Sequence, residues 1–110
     1  MNWIELTSPS QLTEIQGSKE PSIIFKHSTR CPVSKVVKNS FITESILLPE
    51  NVKVYHLDLI KYRDLSNQIA QHWNVRHESP QVLLIQNDEC HYDESHNNIH
   101  VADIVTQIKE

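Results

Sequence analysis

Cys31 and Cys90 are the two thiols of this chain, and the sequence around Cys31 is the kind that makes a thiol reactive. The residue lies between the apolar run Ser22-Ile23-Ile24-Phe25-Lys26-His27, which reads as a buried strand, and a segment opened by Pro32, a residue suited to the first turn of a helix. A sulfur at such a turn faces backbone N–H groups without intrahelical partners and the positive end of the helix. Helix N-termini and nearby cations lower a cysteine pKa to roughly 3.5–7.5, and Arg30 and Lys35 are sequence neighbours able to contribute. A nucleophilic thiolate is the expectation, ahead of a buried structural cysteine. Three residues on, Ser34 occupies the place of the second thiol in a C-x-x-C motif. A hydroxyl can stabilise a thiolate by hydrogen bonding but cannot form a disulfide with it. A solvated residue in the first helical turn is an equally good reading of Ser34.

Pro80 is the second anchor, at the head of the apolar strand Gln81 to Gln86. Proline is tolerated at a strand's first residue or edge, and a cis bond there would leave the Ser79 backbone able to pair with an extended peptide or thiol substrate. The turn Asn87-Asp88 then leads into Glu89-Cys90-His91-Tyr92-Asp93, read as the return arm of a hairpin. That arm puts Cys90 near the far tip, roughly 13 Å or more from the Cys31 end at ~3.3 Å per residue. A resolving partner must come within about 7 Å between Cα atoms, so Cys90 is expected to be a bystander. The same hairpin carries the loop Glu94 to His100, with Ser95, His96, Asn97 and Asn98, back towards Cys31. The seven histidines raise the question of metal, but neither Cys90-His91 nor the pair His96 and His100 follows a known zinc spacing, and no metal site is expected. His27 and His77 flank the site and are candidates to tune Cys31.

The elements that must position these groups follow from periodicity. Trp3 to Leu6 is β-like, and Ser8-Pro9-Ser10 offers capping hydroxyls before Leu12 and Ile15 on one helical face, ended by Gly17. Val33, Val36, Val37 and Phe41 predict a helix burying one stripe; valine is a mediocre helix former, so packing must carry it. Val52 to Leu59 reads as a buried strand, and Tyr62, Leu65, Ile69 and Trp73 as a helical stripe with Asn74 in a left-handed position past its end. Val101, Ile104, Val105 and Ile108 predict a last helix. The order is β-α-β-α-β-α-β-β-α, an α/β fold with a mixed central sheet and helices on both faces.

At 110 residues the chain is expected to form a single domain over 1–110. A net charge of -4 argues against nucleic acid as a partner, and a single glycine rules out multi-glycine phosphate loops. The longest apolar run, Val82 to Ile85, is far short of the ~20 residues that cross a bilayer, and the N-terminus lacks a secretory pattern. No membrane partner and a cytoplasmic protein are expected, in a compartment that keeps ordinary cysteines reduced.

His27-Ser28-Thr29-Arg30-Cys31-Pro32-Val33-Ser34, His77-Glu78-Ser79-Pro80-Gln81 and Tyr92-Asp93-Glu94-Ser95-His96 resemble the monothiol bacilliredoxins of the YtxJ type, over nearly the whole chain. The departures are Val33 for the usual isoleucine and Asn74 for an expected glycine. The resemblance implies a thioredoxin-like fold, with Cys31 as the redox-active cysteine, Ser34 replacing the resolving one and Pro80 as the cis proline. Thr29, Arg30, Pro32 and Ser34 would support Cys31. It further implies an oxidoreductase without a tightly bound cofactor that uses bacillithiol, a cysteine joined to glucosamine and malate, as co-substrate. Its partners would be bacillithiol and S-bacillithiolated proteins. Ser79 and Pro80 would offer them the strand edge, and the hairpin places Ser95, His96, Asn97 and Asn98 within reach of malate carboxylates or sugar hydroxyls, a polar connection capping the last helix being an equally good reading of each. Glutaredoxins share this architecture but carry a Gly-Gly pair where this chain has none, which disfavours glutathione. The alternatives are a non-catalytic thioredoxin-like binding module with Cys31 as a redox-sensing thiol, and a dithiol-like reductase borrowing Cys90.

Overall fold

The computed structural model describes residues 1–109. Along the chain run β1 (Asn2–Glu5), α1 (Pro9–Gly17), β2 (Ser22–His27), α2 (Pro32–Glu44), a 3-10 turn (Ser45–Leu47), β3 (Lys53–Asp58), α3 (Arg63–His72), β4 (Gln81–Gln86), β5 (Glu89–Ser95), a second 3-10 turn (His96–Asn98) and α4 (Val101–Thr106). The strands form one sheet in the order β1-β3-β2-β4-β5. Parallel pairing joins β1 to β3 and β3 to β2, and antiparallel pairing joins β2 to β4 and β4 to β5. This is the alternating order expected, with a mixed sheet and helices on both faces.

Every residue of β2 and β4 is buried, which is why these strands read as nearly continuous apolar runs; the outer strands β1 and β5 are partly exposed. One face of the sheet packs Ile24, Leu57, Leu83 and Ile85 against Leu12 and Ile15 of α1 and Leu65 and Ile69 of α3, with Trp73 beyond the end of α3. The other packs Ile23, Phe25, Val82 and Leu84 against Val37 and Phe41 of α2 and Val101 and Ile104 of α4. Successive residues of β2 therefore address opposite layers, and Lys26 and His27 inherit that alternation. At the start of α1, Gln11 Oε1 accepts from the N–H groups of Thr7 at 2.7 Å and Ser8 at 3.1 Å, fixing the chain's entry into the helix. Asn74, Asn87 and Asp88 all take positive φ, at 54°, 54° and 58°, so Asn74 ends α3 left-handed and Asn87-Asp88 makes the hairpin turn, as expected.

Three expectations need correction. The stripe Val33-Val36-Val37-Phe41 is not the buried face of α2: Val33 is 46% and Val36 64% exposed, and Ser34, Val37 and Phe41 point inward. Periodicity fits both faces, and the polar Ser34 takes the interior because its hydrogen bonds are satisfied there. The last helix ends at Thr106, with Val105 and Ile108 only partly buried. The hairpin arm runs on to Ser95 and carries a bulge: Leu84 pairs with Tyr92 and Ile85 with Cys90, leaving His91 unpaired. The bulge puts Cys90 and Tyr92 against opposite layers, although strict alternation would place them on one face.

Candidate active site

β2 ends at His27 and hands the chain through Ser28, Thr29 and Arg30 to Cys31, the N-cap residue of α2. Cys31 N–H donates to Ser28 O at 3.2 Å and Cys31 O accepts from Lys35 N–H at 3.2 Å, so the cysteine backbone closes the turn and opens the helix. Pro32 brings no N–H to this first turn. Cys31 is half-buried, while Thr29, Arg30 and Pro32 are exposed beside it.

Ser34 is fully buried. Its Oγ accepts from Ser28 N–H at 3.0 Å and lies 2.8 Å from His27 Nδ1. The solvated reading is excluded, and the hydrogen bonds of the hydroxyl run to His27 and Ser28 rather than to Cys31, binding the start of α2 to the end of β2. The His27 pKa is lowered, first by burial and then by the charges of Lys38 and His56, against an opposing pull from Asp58. A neutral imidazole shares one proton with Ser34 whichever of them donates, so the pair closes on itself. Behind it, His56 lies 5.4 Å from the His27 ring, stacks on Trp3 at 5.0 Å, and holds Glu5 Oε1 at 2.9 Å through Nδ1. His27 was legible only as a flank of the site; its tie to Ser34 depends on a tertiary turn that no spacing encodes.

The second part of the site is the loop between α3 and β4. The Ser79–Pro80 peptide bond is cis. Because Gln81 pairs with Lys26 on one side and Ser95 on the other, Pro80 and the end of β5 lie at the end of the sheet from which the Cys31 turn departs. Pro80 O accepts from His96 N–H at 2.9 Å, and Ser95 Oγ donates to the Glu78 carboxylate. Of the residues expected to bind a thiol, Pro80 and Ser95 are buried and the Ser95 hydroxyl is already engaged, whereas His96, Asn97 and Asn98 are exposed. Ser79 Oγ is buried and has no hydrogen-bond partner among the described residues.

Between α2 and the segment after β5 lies an open groove of about 130 Å³, bordered by Val36, Ser40, Asn97 and His100. Val36, which helical spacing assigned to the buried face, lines this groove instead. A larger hollow of about 420 Å³ lies between α1 and α3, on the other side of the sheet, and none of its walls comes from the Cys31 turn.

Cys90 pairs with Ile85, and Ile85 with Ser22, so this thiol is level with the start of β2 while Cys31 follows its end. Over that length β2 spans ~17 Å, well beyond disulfide reach. Cys90 packs into the α1–α3 layer, its Sγ donates to Tyr92 O at 3.4 Å, and burial pushes its pKa up to about 11.

The sequence matches the family described as monothiol bacilliredoxin BrxC over residues 4–104. Among solved structures, a chain described as a candidate oxidoreductase with a thioredoxin fold is 30% identical with a TM-score of 0.83, over 96% of this chain and 92% of that one. A thioredoxin of Malassezia sympodialis is 20% identical with a TM-score of 0.75, covering 97% of this chain and 90% of its own. Trxlp from Edwardsiella tarda is 18% identical with a TM-score of 0.72, over 96% of this chain and 99% of that one. The fold is thioredoxin-like, and the chain belongs to the monothiol bacilliredoxin family of thiol oxidoreductases.

Proposed function

We propose that this protein is a cytoplasmic monothiol oxidoreductase that removes bacillithiol from mixed disulfides with proteins. The observation that carries the reading is the solitary position of Cys31: half-exposed at the N-cap of α2 and at the same end of the sheet as Ser79-Pro80, with a committed serine in the resolving place and Cys90 at the opposite end. In the first step Cys31 sulfur, as thiolate, attacks the bacillithiol sulfur of the mixed disulfide. The protein–bacillithiol S–S bond breaks, a Cys31–bacillithiol S–S bond forms, and the substrate protein leaves as thiolate and takes a proton from solvent. In the second, a free thiolate such as a second bacillithiol attacks the bacillithiol sulfur held on Cys31. A new low-molecular-weight disulfide departs and Cys31 returns as thiolate, so over the cycle the substrate sulfur is reduced to a thiol while the sulfur of the one incoming thiol is oxidised into the new disulfide.

As the N-cap residue of α2, Cys31 stands beside first-turn N–H groups that have no intrahelical acceptor and are free to donate to the attacking and departing sulfur. Ser79 would face the bound disulfide, and the exposed amides and imidazoles of His96, Asn97 and Asn98 would meet the sugar and malate groups.

The test is intact-mass spectrometry of wild type, Cys31→Ala and Cys90→Ala with a bacillithiolated model protein at low enzyme-to-substrate ratio, with bacillithiol added. The expected result is an adduct on Cys31, many turnovers for wild type and Cys90→Ala, and none for Cys31→Ala. A single adduct without turnover identifies a thiol sensor instead, and a requirement for Cys90 rejects the monothiol route.

A further inference from the structure

Lys26 is an interior cation, 0% exposed, and among the described residues its hydrogen-bonding partners include no carboxylate. Its Nζ donates to Ser66 O at 3.3 Å and lies 3.4 Å from His77 Nδ1, which Ser66 Oγ also reaches at 3.2 Å. One ring nitrogen facing an ammonium and a hydroxyl must be an acceptor, so His77 carries its proton on Nε2. Burial, Lys26 and Arg63 all disfavour a charged His77, and only Glu78 pulls the other way. Next to Lys26 across the β2–β4 pairing, Gln81 donates through Nε2 to Arg76 O at 2.8 Å. Glu78 is held by Ser95 Oγ, and Pro80 O by His96 N–H. Arg76, His77, Glu78 and Pro80 are thus each tied to a neighbouring element, in a run that ends at the Ser79-Pro80 edge.

A buried lysine without an ionic partner carries a desolvation cost that an apolar side chain of similar length would not. Methionine in its place would fill the same space but donate to neither Ser66 nor His77. Lys26 and His27 are adjacent on β2 and point to opposite layers, so one holds the substrate loop while the other holds the Cys31 turn.

We propose that the buried Lys26 and Ser66 and the half-buried His77 form a positioning cluster for the Arg76–Pro80 loop, and that it governs binding of the disulfide substrate rather than the reactivity of Cys31. The second clause rests on the proposed function; the first does not.

The test compares wild type with Lys26→Met, His77→Phe and His77→Asn, whose Oδ1 can accept where Nδ1 does. Amide hydrogen exchange over residues 76–81 of the reduced protein should rise about tenfold in Lys26→Met and His77→Phe, with residues 29–37 unchanged and thermal stability of Lys26→Met at or above wild type. On a bacillithiolated model protein the same two variants should raise KM about fivefold, with kcat and the rate of Cys31 alkylation within about twofold of wild type. His77→Asn should restore both exchange and KM. Unchanged exchange over 76–81 overturns the positioning role. A fall in kcat and alkylation with KM unmoved overturns its assignment to binding. If wild type shows no turnover, the proposed function fails, and hydrogen exchange alone decides whether the cluster sets the loop. Should His77→Phe not fold, Lys26→Met carries both readouts.

Discussion

At Ser34 a hydroxyl accepts the Ser28 N–H and closes on His27, so its loss would be felt in the backbone before it was felt in the chemistry. Ser34→Ala leaves the buried Ser28 N–H and His27 Nδ1 without this partner, and about 1–3 kcal/mol of stability should be lost in denaturant unfolding. A change below a few tenths of a kcal/mol would show that the turn is held elsewhere. Cys90 allows a sharper comparison between the two thiols. With its pKa pushed up to about 11, it should resist iodoacetamide near neutral pH in the folded protein. Intact mass should then show one label, on Cys31, and two labels only in denaturant. Labelling of Cys90 in the native chain would contradict its burial. At this scale the place of Cys31 at the start of a helix was legible in the sequence, because proline after cysteine at a strand end marks a helix start. The partners of Ser34 and Lys26 were not legible, because they come from Ser28, His27, Ser66 and His77 across tertiary contacts.

The strands were the legible elements: β2 and β4 have the bounds that their apolar runs predict. The inward face of α2 was not, because Val33 and Val36 satisfy helical spacing as well as Val37 and Phe41 do, and only the satisfied hydrogen bonds of Ser34 decide between faces. The β5 bulge was hidden for a related reason, since the mixed run Glu89 to Asp93 has no clean alternation to interrupt. Turn chemistry was readable at both asparagines. Asn74→Gly should leave stability within about 0.5 kcal/mol, whereas Asn74→Val, a β-branched residue at φ 54°, should cost roughly 1–2 kcal/mol. Asp88→Gly would relieve a backbone at φ 58° but remove the acceptor of His72 Nε2 at 2.8 Å and Trp73 Nε1 at 3.1 Å. A net loss of about 1 kcal/mol is expected, and a gain would mean that backbone preference outweighs both bonds.

For the molecule as a whole, buried basic groups set how stability follows pH. His27 and His77 both have pKa values lowered from 6.5 in the fold, so as pH falls through 6.5 the unfolded chain takes up their protons first and stability declines until the folded values are reached. Lys26, lowered from 10.5 to about 8, works in an alkaline window: between those values the unfolded chain holds more proton, and stability from this group rises with pH. Urea unfolding across both ranges should show an acid slope reduced in His77→Asn and an alkaline rise absent from Lys26→Met. Parallel profiles for wild type and variants would refute the assignment.

The unpaired His91 has a consequence for the protein in concentrated solution. β5 is an outer strand, whose free backbone groups could template another chain, yet its ladder is broken at the bulge and flanked by Glu89, Asp93 and Glu94. A second molecule approaching that edge meets a kinked strand of like charge, and end-on growth of sheets into fibres is disfavoured at the β5 edge.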